Sequence, residues 1–184
     1  NSDRNMRLWF HAIRYLPISN MDVAIDRIAN WRVTGDSPDA YFYLYVLHVL
    51  KAIDGSMIEA QRATDLIEQS RRRSRNLRTR TRSYEWLGPG IGLKRLINSS
   101  ELGEWNKSTE FYMETERLLR VVGRVSDIRA PEAGTLELDS TSLSVFFVPA
   151  RAHLMKGRDE NARVTFFLGF SYDGPRAWSV EAIE

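Results

Sequence analysis

The chain has 184 residues, of which 43% are hydrophobic and 27% charged, so it is long enough to bury a core and its composition excludes wholesale disorder. It contains no cysteine, which excludes disulfides and thiolate metal sites and fits a reducing cytoplasm, where we expect the protein to reside. The longest apolar run, residues 40–50, is too short to span a bilayer. Because the chain starts with neither an initiator methionine nor a signal peptide, we interpret it as a fragment of a longer protein.

The net charge of +2 hides an uneven distribution of charge along the chain. Residues 1–110 hold 17 Lys and Arg against 13 Asp and Glu, whereas residues 111–184 hold 9 against 11. The basic excess therefore belongs to the first part of the chain. The second part lacks the positive field that phosphate binding needs.

Apolar residues in the first part recur at intervals of three and four, which predicts four amphipathic helices. We expect these helices over residues 4–16, from a cap at Asn20 through Trp31, over residues 38–53 and over residues 57–73. Ser37 and Ser56 occupy the N-cap positions of the last two. The third helix is apolar nearly all round, so it should lie centrally among its neighbours.

Four consecutive helices with short loops form two antiparallel hairpins. The first pair occupies about the 34-residue period of a tetratricopeptide repeat, and Ala12 and Ala24 suit the small-residue positions where paired helices of such repeats touch. The helical part is therefore similar to a tetratricopeptide-like module. Its aromatic residues either line a concave groove for a peptide or pack in the core, and their helical spacing favours the core. These residues are Trp9, Trp31, Tyr41, Tyr43 and Tyr45.

An arginine-rich segment, residues 71–82, follows the fourth helix. The segment has three interpretations. It forms a phosphate-binding surface next to Tyr84 and Trp86, or a solvated helix end, or an interface of salt bridges with the acidic second part of the chain. Charge density alone does not decide between them. The arginines of the segment are Arg71, Arg72, Arg73, Arg75, Arg78, Arg80 and Arg82.

A glycine-rich stretch, residues 88–92, follows the two aromatic residues. It lacks the Gly-Lys-Ser/Thr of a phosphate loop, and Pro89 removes an amide donor that such a loop needs, so we interpret it as a structural turn. A short helix near residues 93–97 should come next, and residues 98–117 form a connector. We therefore assign residues 1–97 to the helical module and residues 118–184 to a second domain.

The hydrophobic period changes to two in the second domain, where short strand-like runs alternate with turns. We expect strands over residues 119–125, 134–138, 144–148, 163–169 and 175–183. Five short strands in so short a chain suit a closed barrel, because closure removes the sheet edges. The fold class is therefore α+β, with a helical-hairpin module followed by a five-stranded barrel.

The second domain resembles a cold-shock-type oligonucleotide/oligosaccharide-binding (OB) fold. The matching segments are Val122-Gly123-Arg124-Val125, residues 131–136, residues 145–149, Gly157, residues 164–168 and the closing residues 173–180. A barrel of this kind after tetratricopeptide-like helices, with the sequence of residues 167–175 near its end, resembles the C-terminal end of the sterile alpha motif domain-containing 9 family and of its bacterial relatives, which are antiviral multidomain NTPases. The resemblance implies a multidomain innate-defence protein whose nucleotide-binding parts lie upstream.

Cold-shock domains bind single strands by stacking bases on exposed aromatic residues of two motifs. The first motif position here, residues 132–137, has no aromatic residue and two acids. The second keeps Phe146 and Phe147, but neighbouring strand residues face opposite ways, so at least one of them is core. The resemblance therefore supports the fold more than nucleic-acid binding by the barrel.

No pattern in the sequence assembles a reactive centre. The three histidines are far apart and form no metal-ligand spacing, so we predict no metal, no cofactor and no catalytic residue. We predict a non-catalytic interaction or scaffolding module at the C-terminus of a multidomain defence or signalling protein. It would bind other domains of that protein or a partner protein, and we expect no contact with a membrane.

Two rival functions remain open. The first is binding of RNA or single-stranded DNA by the arginine-rich segment with Tyr84 and Trp86, and with Phe147, Tyr172 and Trp178 as stacking surfaces on the barrel. The second is an enzyme subunit with an unrecognised site, because active sites assemble in space rather than along the sequence.

Overall fold

The computed structural model describes residues 2–12, 21–32, 37–53, 56–94 and 118–183. Four helices precede a β-sheet, so the mixed α+β class is confirmed. The helices are α1 (Ser2–Ala12), α2 (Met21–Arg32), α3 (Pro38–Ile53) and α4 (Met57–Arg73). Within the described ranges, no helix is long and apolar enough to cross a membrane.

The caps and the burial of the helices follow the sequence pattern. The Ser37 hydroxyl accepts a hydrogen bond from the Asp39 amide at 3.3 Å, and the Ser56 hydroxyl accepts one from the Glu59 amide at 3.4 Å. Eleven of the sixteen residues of α3 are buried, which confirms its central position. The predicted cap at Asn20 and residues 13–16 of the first predicted helix lie outside the described residues.

The helical aromatic residues belong to the core. Tyr43 and Tyr45 are buried, and Trp9, Trp31 and Tyr41 are half-buried and pack against the same hydrophobic cluster. This confirms the core interpretation of these side chains.

The last five strands close into a barrel. They are β3 (Arg120–Ala130), β4 (Ala133–Leu138), β5 (Ser144–Phe147), β6 (Arg163–Ser171) and β7 (Gly174–Ala182). The order β6-β3-β4-β5-β7 closes through the pairing of β6 with β7, and β5 and β7 are the parallel pair. The five predicted strands are confirmed, and the barrel is compatible with an OB fold.

Two further strands extend the sheet. The strands β1 (Glu85–Gly88) and β2 (Gly92–Lys94) form a hairpin, and β1 pairs with β6 through Trp86 and Gly169. The predicted helix near residues 93–97 is therefore wrong at Leu93, which is in a strand, and residues 95–97 lie outside the described residues. Within residues 1–97, which we assigned to the helical module, residues 85–94 form this hairpin and lengthen the sheet, and Trp86 and Leu87 are buried.

A tight turn between β6 and β7, Tyr172 and Asp173, packs on the helices. The Tyr45 hydroxyl of α3 donates a hydrogen bond to the carbonyl oxygen of Ser171, and the Ser70 hydroxyl of α4 donates one to the carbonyl of Tyr172 at 2.7 Å. The Tyr172 ring stacks on Phe42 with 4.6 Å between the ring centroids. We call residues 171–174 the docking turn.

The docking turn also depends on its glycine. Gly174 has φ +125°, a conformation that side-chain-bearing residues rarely adopt, and a Cβ at this position would lie 3.2 Å from the Cγ2 atom of Ile67. The hydrophobic core runs without a break from α1–α4 into the barrel. Helices and barrel are therefore joined by buried apolar surface as well as by hydrogen bonds.

Candidate binding site

The barrel has an open seam between β5 and β7. These two strands share a single paired position, Phe146 with Arg176, whereas all four residues of β5 pair with β4. A cavity of about 400 Å³ lies beside that pair. We call it the seam pocket, and it is lined by residues 146–148, 151–153 and 176–182.

Two arginines and two aromatic rings dominate the seam pocket. The guanidinium of Arg176 lies over the Phe146 ring at 4.4 Å, and that of Arg151 lies 5.9 Å from the centroid of Trp178. Burial lowers the pKa of Arg176; Asp173 opposes this shift, and the positive charge of Arg151 adds to it. The pocket therefore offers positive charge beside flat apolar surface.

The Trp178 ring is held in place from behind. Its Nε1–H donates a hydrogen bond to the Ser83 hydroxyl at 3.1 Å, and its ring packs against Trp86 with centroids 5.7 Å apart. A Cβ at position 169 would lie 2.6 Å from the Ser83 hydroxyl, so Gly169 is needed for this approach. The ring therefore forms a fixed wall of the pocket.

A second cavity of about 740 Å³ lies between α4 and the barrel, and Phe146 and Arg176 line it as well. Its charges are mixed, since Arg71, Arg129 and Arg176 line it together with Asp65, Glu68 and Asp173. Arg71 lies 3.4 Å from Glu68 and 3.7 Å from Asp173. This cavity carries no excess of either charge.

Most of the arginine-rich segment is engaged within the molecule. The guanidinium of Arg71 donates two hydrogen bonds to the Asp173 carbonyl at 3.1 and 3.2 Å, and the Asp173 amide donates to the Arg80 carbonyl at 3.0 Å. Arg72 pairs with Glu68 at 3.0 Å, and Arg73 lies over the Tyr41 ring at 4.5 Å. The segment thus holds the docking turn against the helices.

The remaining arginines of the segment differ in exposure. Arg82 lies 5.8 Å from the centroid of the Tyr84 ring, and the Tyr84 hydroxyl donates a hydrogen bond to Thr79 at 2.7 Å. Arg75 and Arg78 are exposed, and their side chains form no ion pair with any residue that the structure describes. These two side chains are therefore the ones best placed for a contact outside the molecule.

The structure separates the predicted stacking residues. Trp86 and Phe147 are 0% and 1% exposed, so their rings face the interior and cannot stack on a ligand. Tyr172 lies in the docking turn, and its hydroxyl donates a hydrogen bond to Asp39 of α3. Burial, followed by this contact with Asp39, raises the pKa of Tyr172. Trp178 lies in the wall of the seam pocket. Phe146, the neighbour of Phe147 on β5, is only half-buried and lines the same pocket.

Sequence reasoning missed Arg151 and Arg176. Arg176 and Trp178 are two residues apart on a predicted strand, and that spacing places both side chains on one face. This signal was present in the sequence. Arg151 belongs to a short 3₁₀ helix, Pro149–Ala152, that the sequence pattern did not reveal.

Outside the two cavities, the described ionisable groups include one buried pair on α3 and α4. In the described part of the chain, no group of three or more His, Asp or Glu side chains converges as metal ligands would. His48 and Glu59 form a buried hydrogen-bonded pair. Burial pushes the pKa of Glu59 up, but the contacts with His48 and Lys51 outweigh it and lower the pKa.

A scan against protein-family models and searches of curated proteins and of solved structures find no match for this chain.

Proposed function

We propose that this chain is a non-catalytic interaction module in which the helices support the barrel. The observation that carries this proposal is the docking turn, which receives hydrogen bonds from Tyr45 of α3 and from Ser70 and Arg71 of α4. A turn held by two helices gives a rigid combined surface to other domains of the same protein or to a partner protein. A cytoplasmic location is part of this proposal.

The same contacts support one interpretation of the arginine-rich segment, namely the seam between the two halves. Arg71, Arg73 and Arg80 contact the barrel turn or a helix rather than solvent alone. Ion pairs at exposed positions contribute little to stability, whereas hydrogen bonds from a guanidinium to a carbonyl oxygen fix geometry. We therefore assign the segment to docking and not to phosphate binding.

We further propose the finer identity of the two halves. The barrel order, with a parallel pair between its third and fifth strands, supports a cold-shock-like OB fold, and the helical hairpins support a tetratricopeptide-like module. Their order along the chain supports a position at the C-terminal end of a multidomain antiviral defence protein. Sequencing of the full-length gene tests this, and an upstream nucleotide-binding motif is the expected result.

A second candidate function is binding of RNA or single-stranded DNA. It is favoured by Arg151, Arg176 and Trp178 in the seam pocket rather than by the arginine-rich segment. The pocket exposes positive charge next to an aromatic ring, the combination that single-strand binding uses.

Fluorescence anisotropy with a labelled single-stranded 20-mer separates the two functions. For an interaction module we expect weak binding at low salt that falls away near physiological salt, because Arg72, Arg75 and Arg78 attract phosphate only electrostatically. Changing these three residues to Gln should leave the fold intact and abolish the salt-sensitive binding. Tight binding that survives physiological salt and the triple substitution would favour nucleic-acid binding as the main function.

A further inference from the structure

The guanidinium of Arg176 is half-buried and forms no ion pair with a described carboxylate, although the charge of Asp173 acts on it. It lies flat over Phe146 at 4.4 Å, and its side chain forms no hydrogen bond or ion pair with any residue in the described part of the chain. A guanidinium has five N–H donors, and a cation that leaves water without a partner loses solvation energy. The position of Arg176 therefore suits a ligand that supplies negative charge.

A second cation faces the same cavity. Arg151 is exposed, lies 5.9 Å from the centroid of the Trp178 ring, and is close enough for its charge to act on Arg176. The acid on this wall, Glu181, is drawn towards Arg120, 3.5 Å away. Two like charges thus face the cavity, the acid in its lining pairs with Arg120, and the charge of Asp173 acts on Arg176 from the neighbouring turn.

The shape of the seam pocket limits the ligand. Its volume of about 400 Å³ lies at the small end of the usual range for small-molecule sites. The Trp178 ring is fixed by Ser83 and Trp86 and offers a flat wall. A planar aromatic group next to an anionic group matches both features.

An extended peptide is a poorer fit to this seam. Strand addition needs a regular row of free backbone groups, but β7 is irregular here, because its register against β6 shifts and Ser179 has φ +47°. The carbonyl of Ser179 already accepts a hydrogen bond from Arg120 at 2.7 Å. The bulge therefore protects this edge against strand addition.

We propose that the seam pocket binds a single nucleotide unit, with its phosphate on Arg151 and Arg176 and its base against Trp178. The unit is either a free mononucleotide or one nucleotide of a single strand. This inference deepens the second candidate function, on which its single-strand form rests, and its failure would leave the docking of helices and barrel untouched.

The test is an NMR titration of the ¹⁵N-labelled chain with adenosine monophosphate, followed at the Trp178 indole N–H. The chain has five tryptophans, and the Trp178→Phe spectrum assigns the signal. We expect a saturable shift, with adenosine alone and inorganic phosphate alone each binding about tenfold more weakly or worse. A single-stranded tetranucleotide that binds more tightly than the mononucleotide indicates a strand as the source, and equal affinity indicates a free nucleotide.

Variants locate the site. Arg176→Gln and Arg151→Gln should each weaken binding about tenfold or more, since each removes a charged donor to phosphate. The two Trp178 variants lack this indole and are followed at the backbone amides of β7. Trp178→Leu should weaken binding by a similar factor, and Trp178→Phe should retain most of it, because the aromatic wall remains. Arg124→Gln removes an equal charge from an exposed barrel position outside the pocket and should bind like the unchanged chain.

Several results would overturn the proposal. One is the absence of a saturable shift, and another is unchanged binding of the mononucleotide by Arg151→Gln. A third is an affinity for inorganic phosphate equal to that for the mononucleotide, and a fourth is a glutamate-rich peptide that displaces the mononucleotide as well as unlabelled mononucleotide does. Arg151 is exposed, so its substitution preserves the fold and keeps the test valid even where Arg176→Gln unfolds the barrel.

Discussion

The Tyr45 hydroxyl gives a sharp test of the contact between helices and barrel. Tyr45 is 0% exposed, and its hydroxyl donates to the carbonyl of Ser171, which is itself buried. Tyr45→Phe removes this donor without changing the packed ring, so we expect the free energy of unfolding to fall by about 1–2 kcal/mol. With an m-value of about 2 kcal/mol/M, the urea midpoint should fall by roughly 0.5–1 M.

The assay follows unfolding in urea with one probe for each half of the chain. Far-ultraviolet circular dichroism reports chiefly the helices, and the Trp178 indole NMR signal reports the barrel. We expect both midpoints to shift together, because the hydrogen bond joins the two halves. Tyr84→Phe is the control: it removes a hydroxyl whose hydrogen bond to Thr79 is exposed, and it should change stability by less than about 0.5 kcal/mol.

Two results would refute this reasoning. One is a midpoint for Tyr45→Phe equal to that of the unchanged chain. The other is a shift of the helical signal alone, which would mean that the barrel unfolds independently of α3.

Two further predictions concern a backbone position and an ion pair. Gly174→Ala should lower the free energy of unfolding by about 1–3 kcal/mol in thermal denaturation, because φ +125° strains alanine and its methyl group meets Ile67. The control Gly157→Ala, at φ +80° in open space, should lower it less, and equal losses would contradict the contact with Ile67. The lowered pKa of Glu59 means that its ionised form stabilises the fold above the ordinary pKa of about 4.3, and that this contribution is lost as pH falls through the lower folded-state value. Melting temperatures between pH 5 and pH 3 should therefore fall less steeply for Glu59→Gln, and an unchanged slope would contradict the assignment.

The regular elements could be predicted from the sequence because their hydrophobic period is local. The apolar stripe of α3 and the alternation of residues 144–148 each fall within a few residues, so helix and strand follow from neighbours along the chain. The hairpin of β1 and β2 was not predicted, because its strands show no such period. These strands are only four and three residues long, which is too short to show an alternation of apolar and polar residues, and residues 88–92 indicate only a turn.

The site could be predicted less well because its partners are far apart in sequence. The charge of residues 71–82 was visible, but Asp173, which binds Arg71, is about a hundred positions away. Strand alternation showed that one of Phe146 and Phe147 faces inward, and only the closed barrel decided which. Arg151 joins the seam pocket through the fold alone.

Amide hydrogen exchange at Asp173 tests the central claim, that the docking turn of the barrel is held against the helices, most directly. The Asp173 amide donates to the Arg80 carbonyl at 3.0 Å, whereas the tip of a free two-residue turn would exchange rapidly. We predict that this amide exchanges as slowly as the amides of β3 and β4 in the barrel core. Rapid exchange at Asp173 while those core amides stay protected would contradict the account.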